Sequence, residues 1–329
     1  MDPSPGGKRT LRRFSPAIRL AVGILLLGWL LAKTDLKQFG AALLAADHRF
    51  TAAGFGCFLV LALAETLRLQ IVLSNYRISL PGAAHLHFVG MFFSNFIPSS
   101  LGAEVYRVHL LRKLSGSLAG PIALLLVLRL SGLGLLSLSS CAYLPFAYGR
   151  IESSVSNLLQ ATELHQVPLL AMAAIALVLL ACVLLFKAPR RLVGRQIPAL
   201  KAAVRSVFEL GAGPHLLLVA LGLLVISCRV ASLWCFAQGV GEDLRFLDLL
   251  LVVTLVQLVS LVPISLGALG VREGSMVVGL SALGASLAHG MGVAILSRCA
   301  LWAFSLAGGV FLLLGRGAVT GGVSSPRGD

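Results

Sequence analysis

The sequence predicts an all-α polytopic membrane protein with about six transmembrane helices and two re-entrant hairpins, each broken by proline and glycine. Three observations lead to this fold class: an apolar composition, six segments long enough to cross a bilayer, and a motif that occurs twice. Of the 329 residues, 57% are hydrophobic and 12% are charged, and the mean hydropathy is +0.93. Soluble domains carry about 25% charged residues, so a soluble fold is excluded.

The six predicted spans are apolar segments near or above the roughly 17–25 residues that a transmembrane helix needs. They cover residues 17–31, 50–73, 120–144, 168–186, 214–236 and 291–314. A polar outside loop is expected over residues 145–167. The basic tail at 1–15 is predicted to be disordered and cytoplasmic, and the tail at 316–329 is also predicted to be disordered, so one membrane domain covers residues 16–315.

A repeated motif organises the chain. Residues 95–107 read N-F-I-P-S-S-L-G-A-E-V-Y-R, and residues 263–272 read P-I-S-L-G-A-L-G-V-R. Aligned without a gap, the copies are identical at six of ten positions, starting from Pro98 and Pro263. One arginine lies in the apolar segment before each copy and one in the segment after it (Arg68 and Arg129, then Arg229 and Arg298). The sequence therefore predicts two related halves, at about 50–145 and 214–315.

The distribution of Lys and Arg predicts the orientation, because short loops rich in these residues stay on the cytoplasmic side. If both motif stretches enter the bilayer and return to the side they came from, the inside loops and tails hold fifteen Lys and Arg and the outside loops hold five. Both termini are then cytoplasmic, and the two halves are inverted relative to each other. In the alternative, a motif stretch crosses fully and places the basic 187–205 loop or Arg112 and Lys113 outside.

Each motif copy is predicted to form a helix, a break and a second half-helix. Proline lacks the N–H of a helical hydrogen bond and clashes with the preceding turn, so the first helix breaks at Pro98. Ser99 or Ser100 can cap the next half-helix, whose first turns carry Glu104 and Arg107. Free N–H groups, a positive helix dipole and a bidentate arginine suit this break to an anion, whereas the alternative is a kinked hairpin with a structural role.

The charged residues inside the predicted membrane domain indicate an anionic partner. Glu65 and Arg68 are three residues apart on one helix face, and they form either a structural ion pair or part of a functional site. In total six arginines and three glutamates lie in these segments (Arg68, Arg107, Arg129, Arg229, Arg272, Arg298, Glu65, Glu104, Glu273). Unpaired charge inside a bilayer is costly, so a molecule with an apolar tail and a phosphate head fits both the membrane and the arginines.

Other classes of site are not expected from the sequence. His85 and His87 do not share a helix face, and the six cysteines lie in apolar segments without C-x-x-C spacing, so we expect no metal site. Hydrolase, P-loop and zinc-protease motifs are absent, so we expect no cofactor and no ATP-driven step. The positive charge of +14 is distributed like that of loop anchors, and nucleic-acid binding is not expected.

The motif N-x-x-P-x-x-x-G-x-E-x-x-R at residues 95–107, together with P-x-S-x-G-x-x-G-V-R-E at 263–273, resembles the transmembrane region of lysylphosphatidylglycerol synthases and of free-standing flippase-like proteins. The resemblance covers residues 15–315. It implies a bacterial plasma (inner) membrane protein that moves aminoacylated phospholipids between leaflets, and relatives occur beside or fused to enzymes that handle polyprenyl-phosphate sugars. The synthases carry a cytosolic aminoacyl-transferase domain that this sequence does not contain, so we do not expect it to make lysylphosphatidylglycerol.

We therefore expect a flippase-like protein, not an enzyme, that binds or translocates an anionic phospholipid or a polyprenyl-phosphate-linked lipid and works beside a separate lipid-modifying enzyme. Arg107 and Arg272 are predicted to hold the phosphate, and glutamates are predicted to balance charge or contact a cationic head group. The predicted substrate-binding residues are Asn95, Ser100, Gly102, Glu104, Arg107, Ser265, Gly267, Arg272 and Glu273, and those predicted to line the path are Glu65, Arg68, Arg129, Arg229 and Arg298. The alternatives are an intramembrane enzyme or accessory subunit that acts on a lipid-linked phosphate, and a structural partner.

Overall fold

The fold is all-helical, as the sequence predicted. The computed structural model describes residues 21, 23–32, 34–76, 78–96, 102–116, 118–161, 205, 209, 211–261 and 265–314. These residues form ten α-helices and two short 3₁₀ turns, at Ser74–Tyr76 and Leu266–Ala268, and contain no strand. The helices are α1 (Gly23–Ala32), α2 (Leu36–Leu44), α3 (His48–Val72), α4 (Leu80–Phe96), α5 (Gly102–Ser115), α6 (Ala119–Ala161), α7 (Ala212–Gly239), α8 (Leu249–Val259), α9 (Val271–Ser281) and α10 (Leu287–Leu314).

Four helices are long and apolar enough to cross a membrane, and they coincide with four of the six predicted spans. They cover His48–Val72, Gly120–Gly149, Ala212–Gly239 and Leu287–Leu313, within α3, α6, α7 and α10. Of the two other predicted spans, 17–31 is described only in part, by α1, and 168–186 lies outside the described residues. Leu138 of α6 and Leu216 of α7 are exposed on the outer surface, as expected for side chains that face lipid.

Helix α6 continues beyond the predicted span, so the predicted loop over residues 145–167 is wrong for its first part. The helix runs to Ala161 with Pro145 inside it. A proline removes one helical hydrogen bond, but contacts on both sides of it can hold the helix together with a kink. Here the Tyr143 hydroxyl donates a hydrogen bond to Asp248 Oδ1 at 2.6 Å, and Ala147 is fully buried.

Helices α4 and α5 form the first hairpin, around the first copy of the motif. Phe93, near the end of α4, stacks on Tyr106 of α5 with ring centroids 4.9 Å apart, so the chain reverses between the two helices. Gly102, the first residue of α5, lies against the backbone of Phe93, where a Cβ atom would be 2.5 Å from the Phe93 carbonyl oxygen. Glycine at this position therefore allows α4 and α5 to approach closely.

Helices α8 and α9 form the second hairpin, and each has 11 residues. At about 1.5 Å per residue each leg is about 16 Å long, about half of the roughly 30 Å hydrocarbon core, so neither leg crosses a bilayer alone. In the turn between them Gly267, Ala268 and Gly270 have φ angles of 56°, 55° and 77°. The left-handed conformation costs an L residue about 1–2 kcal/mol, so the surroundings must hold Ala268 in place.

Each hairpin returns to the end of the molecule from which it starts. Before α4, the Tyr76 hydroxyl lies 3.1 Å from the position that a Cβ atom of Gly120 would take, after α5. Before α8, Glu242 Oε1 accepts the Ser286 N–H at 3.0 Å and contacts His289 Nδ1 at 2.8 Å, after α9. The chain therefore enters and leaves each hairpin at the same end, which is the geometry that a re-entrant hairpin requires.

The order long helix, hairpin, long helix occurs twice, as α3 to α6 and as α7 to α10. One apolar cluster lies mainly in the first half, and a larger one is centred on the second half and also includes Phe58 of α3 and Leu136 of α6. Fully buried core residues of the first half are Leu73, Leu86 and Leu111, and those of the second half are Leu249, Leu280 and Met291. The repeat that the motif indicated is thus visible in the packing of the helices.

The two halves meet along α3 and α7, along α4 and α10, and at the tips of the hairpins. Gly54 of α3 faces the ring of Phe236 on α7, and the Ser232 hydroxyl donates to the Gly54 carbonyl at 2.9 Å. At the tips, a Cβ atom on Gly267 would be 3.4 Å from the Ser94 carbonyl oxygen. The two copies of the motif are therefore brought together in space.

Candidate functional site

A polar space, the central cavity, lies between the two hairpins and the packed helices α3 and α7. It consists of two adjoining chambers of about 320 and 310 Å³, which share six lining residues (Glu65, His87, Glu104, Arg107, Arg229, Ser260). Arg68 and Arg129 also line the first chamber, and Asn95, Ser265, Gly267 and Arg272 also line the second. Most of the predicted site residues thus surround one space.

Four of the predicted site residues are not among the described residues that line the central cavity. Ser100 lies outside the described residues. Gly102 supports the first hairpin through its contact with Phe93. Glu273 and Arg298 are buried behind the turn of the second motif copy, and they line neither chamber of the central cavity.

Each of the three membrane glutamates is paired with an arginine from another helix. Glu65 of α3 accepts a hydrogen bond from Arg229 of α7 at 2.9 Å. Glu104 of α5 accepts one from Arg129 of α6 at 3.0 Å. Glu273 of α9 is bonded by Arg298 of α10.

The expected ion pair between Glu65 and Arg68 is not formed. The Glu65 carboxylate reaches across to Arg229, because the packing of α3 against α7 brings the two halves together at this level. Arg68 instead lies 3.5 Å from the Ser131 hydroxyl on α6, at the limit of a hydrogen bond. Spacing along one helix placed the two charges on one face, but contacts between helices decide the partner.

Three arginines at the cavity have no carboxylate partner among the described residues: Arg68, Arg107 and Arg272. Arg68 is 8% exposed, and its Nε has no hydrogen-bond partner. Arg107 donates from Nε to the Leu86 carbonyl at 3.2 Å. Arg272 lines the second chamber and makes no side-chain hydrogen bond to the described part of the chain. Because buried charge without a partner is costly, this arrangement favours a ligand that brings negative charge.

Arg298 and Glu273 hold the turn of the second motif copy. Glu273 Oε2 accepts the Gly270 N–H at 2.7 Å, at the start of α9. Arg298 donates to Glu273 and also to the carbonyl oxygens of Gly267 and Ala268, at 3.3 and 3.4 Å. These bonds satisfy backbone groups that the left-handed turn leaves without helical partners. This turn thereby places the neighbouring Arg272 at the wall of the second chamber.

Two neutral residues of the motif also face the second chamber. Asn95 donates from Nδ2 to the Met91 carbonyl at 2.9 Å and to the Ser305 hydroxyl at 2.7 Å, which ties α4 to α10. Ser265 is 2% exposed, and its hydroxyl has no hydrogen-bond partner within the described ranges. The chamber wall therefore contains an unsatisfied hydroxyl beside the motif arginines.

His87 and Ser260 line both chambers, although the sequence analysis did not select them. His87 Nε2 lies 3.9 Å from Glu65 Oε2 and has no hydrogen bond to the described residues, whereas His85 bonds the Tyr106 hydroxyl at 2.8 Å. Two signals were present in the sequence. His87 is two steps of four residues before Asn95, so the two lie on one face of α4. Ser260 is the counterpart of Asn95 in the second copy of the repeat.

Comparison with known proteins agrees with this architecture. The sequence pattern of the family described as Lysylphosphatidylglycerol synthase TM region matches residues 17–309, which include both motif copies and every residue that lines the central cavity. Neither the curated proteins nor the solved structures gave a match to this chain. This multi-pass membrane protein therefore belongs to the Lysylphosphatidylglycerol synthase TM region family.

Proposed function

We propose that the protein binds a lipid with an anionic, phosphate-containing head group in the central cavity and carries that head group between the leaflets of the membrane. The charge of the cavity is the observation that carries the proposal. Five arginines and two glutamates line the two chambers, so three positive charges have no acidic counterpart there. Membership of a membrane-embedded, lipid-related family agrees with a lipid substrate.

The positions of the unpaired arginines give a path for a phosphate. A guanidinium group can donate two parallel hydrogen bonds to a phosphate, which an ammonium group cannot do with the same geometry. Arg272 lines only the second chamber, Arg68 only the first, and Arg107 lines both. A phosphate that moves from Arg272 to Arg68 therefore keeps Arg107 as a partner throughout the step.

The glutamates of the cavity define what else the head group can carry. Glu65 and Glu104 line both chambers, and each is held by an arginine. An amino group on the lipid would find these two carboxylates within the same space as the phosphate-binding arginines. The proposed substrate is thus a plain anionic phospholipid, an aminoacylated phospholipid or a polyprenyl-phosphate-linked lipid. The proposed location is a bacterial inner membrane, with both termini of the protein in the cytoplasm. Because the sequence contains no nucleotide-binding motif, we propose that a gradient or mass action drives net flow.

A second candidate is an enzyme or accessory subunit that acts on a lipid-linked phosphate. The observation that favours it is the pair of His87 and Glu65, whose Nε2 and Oε2 atoms are 3.9 Å apart beside the unpaired arginines. Such a pair can exchange protons with a bound substrate. This candidate predicts a chemical change in the lipid, whereas the leading proposal predicts movement alone.

Lipid movement in proteoliposomes tests the leading proposal. The protein is reconstituted with NBD-labelled phosphatidylglycerol, lysylphosphatidylglycerol or polyprenyl phosphate, and the fraction of probe that dithionite reduces is followed over time. We expect the wild type to move at least one probe. Arg107→Ala/Arg272→Ala should move it about tenfold more slowly or worse, because each hydrogen bond to a charged group contributes about 1.5–3 kcal/mol.

Arg245→Ala is the matched control, because Arg245 is exposed in the loop before α8 and lines neither chamber. It should move lipid at the wild-type rate. A wild-type protein that moves none of the three probes would contradict the proposal. Mass spectrometry of the recovered lipids would then test the second candidate, which requires a changed lipid.

A further inference from the structure

We infer that the lipid reaches the central cavity through a groove between α5 and α6, and that the Glu104–Arg129 ion pair is the gate between groove and cavity. The head group passes the gate while a hydrocarbon chain of the same lipid lies in the groove. This inference rests on the proposed function and adds the route by which the substrate enters. The groove has a volume of about 500 Å³ and opens on the outer surface of the bundle.

The walls of the groove are apolar and accessible from the membrane. Val105 and Val108 of α5 line one wall, and Ile122 and Leu126 of α6 line the other. Val105, Ile122 and Leu126 are 61%, 44% and 41% exposed, so the surface is open to a chain that covers it. Burial of apolar area against a hydrocarbon chain needs no directional contact, which suits this wall to lipids that differ in their chains.

The charged residues at the two ends of the groove match a phosphate head group. Arg112 and His109 lie near the end of α5, at the surface end of the groove, and Glu104 and Arg129 lie at its inner end. Eight residues of α5 separate Arg112 from Glu104, a distance of about 12 Å along the helix. A phosphate that leaves Arg112 therefore travels this distance over an apolar wall and meets Arg129 next.

The Glu104–Arg129 pair separates the groove from the cavity, because both side chains line both spaces. The two side chains are 33% and 39% exposed, and partly exposed ion pairs of this kind open readily. The Glu273–Arg298 pair provides the contrast, since its side chains are only 2% and 5% exposed. An incoming phosphate can replace Glu104 on Arg129 with a similar hydrogen-bond geometry, so the gate opens without leaving the arginine unpaired.

Photolabelling tests whether a lipid chain occupies the groove. Liposomes that contain the wild type are prepared with phosphatidylglycerol that carries a diazirine on one acyl chain, or with diacylglycerol that carries the same chain. We expect the phosphatidylglycerol probe to label the α5 and α6 peptides in clear excess over the exposed face of α7 at Leu216 and Val219. The diacylglycerol probe, which lacks the phosphate, should label both faces equally.

Two labelling results would overturn the inference. Equal labelling of both faces by the phosphatidylglycerol probe would mean that the groove holds only surrounding lipid. An unlabelled groove would mean that another part of this chain covers it.

Transport by groove variants separates this inference from the proposed function. Ile122→Trp fills the groove without touching the cavity, and Leu138→Trp, at a 68% exposed position further along α6, is the matched control. We expect Ile122→Trp to move lipid about tenfold more slowly, which corresponds to a barrier about 1.4 kcal/mol higher, and the control to keep the wild-type rate. Val105→Trp repeats the test on the opposite wall if Ile122→Trp does not fold. Wild-type rates in the folded groove variants would overturn the groove alone, whereas an inactive wild type would refute the proposed function.

Discussion

Arg68, Arg107 and Arg272 differ from the other membrane arginines because the described chain gives them no carboxylate. Arg68 is the clearest case, since it is 8% exposed and its Nε makes no hydrogen bond. Gly132 and Gly222 lie beside it, because a Cβ atom on Gly132 would be in ordinary contact with its Nη1 at 3.4 Å, and one on Gly222 would be 3.8 Å from its Cζ. A side chain that is accommodated at a cost to stability is more readily explained by ligand binding than by folding.

We predict that Arg68→Met stabilises the lipid-free protein and weakens its response to lipid. Methionine keeps most of the side-chain length but removes a buried donor without a partner, which costs about 1–3 kcal/mol. The measurement is thermal unfolding in detergent, with and without phosphatidylglycerol. Arg229→Met is the control, because it leaves Glu65 without its 2.9 Å partner and should lower the unfolding temperature. A lower unfolding temperature for Arg68→Met would assign Arg68 a structural role.

At the scale of elements, the two hairpins combine close backbone packing with unusual conformation. Gly102 starts α5 in direct contact with the backbone of Phe93. In the second hairpin Ala268 is held in the left-handed region, and Arg298 bonds the carbonyl groups around it. Both devices fix the breaks that precede Arg107 in α5 and Arg272 in α9, the motif arginines that face the cavity. The geometry of the site thus depends on backbone contacts as well as on the charged side chains.

We predict that Gly102→Ala destabilises the protein by about 1–3 kcal/mol, because the added methyl group would overlap backbone that cannot move aside. Gly134→Ala on α6 is the matched control, since nothing lies within 4 Å of its Cβ position. Alanine in an open helical position should leave stability unchanged or raise it by about 0.5–1 kcal/mol. Unfolding of both variants in one detergent provides the comparison. Equal stability of the two would show that α4 and α5 separate more easily than their contacts indicate.

At the scale of the whole molecule, two halves of the same order surround one cavity. They are joined along α3 and α7, along α4 and α10, by the Glu65–Arg229 ion pair, and at the hairpin tips. Each hairpin starts and ends at the same end of the molecule, which fits the inverted arrangement that the distribution of Lys and Arg predicts. A cavity between inverted halves is the arrangement by which one site can be presented to either side of a membrane.

We predict that Ser74 and Lys113, which flank the first hairpin, are accessible from the cytoplasm, and that Arg245 and Ser286, which flank the second, are accessible from outside. Single cysteines at these exposed positions are treated with an impermeant maleimide before and after cells are opened. The background protein has Cys141 and Cys299 replaced by serine, because both are exposed. Labelling of Ser74→Cys and Lys113→Cys from opposite sides would contradict a re-entrant first hairpin.

Sequence reasoning predicted the features that the bilayer itself imposes. The thickness of the membrane requires long apolar helices, so the spans that became α3, α6, α7 and α10 were recognisable from length and composition. The repeat indicated where the helices break and which residues of the two halves correspond. The cavity residues of the motif, such as Arg107 and Arg272, followed from these two signals.

The remaining features depend on contacts between helices, which spacing along the chain does not reveal. Glu65 pairs with Arg229 instead of Arg68 because α3 packs on α7. Helix α6 continues through Pro145, where Tyr143 is held by its hydrogen bond to Asp248 and Ala147 is buried. His87 is a different case, because the histidine pair was considered only as a metal site and the face of α4 that His87 shares with Asn95 was overlooked.

The carboxylate of Glu65 is one of the differences between the two halves. Arg68 and Arg229 each lie in the long helix before a motif copy, but Glu65 neutralises Arg229, and the residue three positions before Arg229 is Ile226 where a glutamate precedes Arg68. Under the proposed function, an inverted repeat with identical halves would favour neither orientation of the site, whereas this asymmetry is expected to favour one orientation when no lipid is bound. Such a preference changes how fast lipid is picked up from each leaflet, but a passive carrier still leaves the final distribution to the lipid gradient. If the protein carries lipid as proposed, we therefore expect Glu65 to affect the rate of exchange on each side and not the final distribution of lipid.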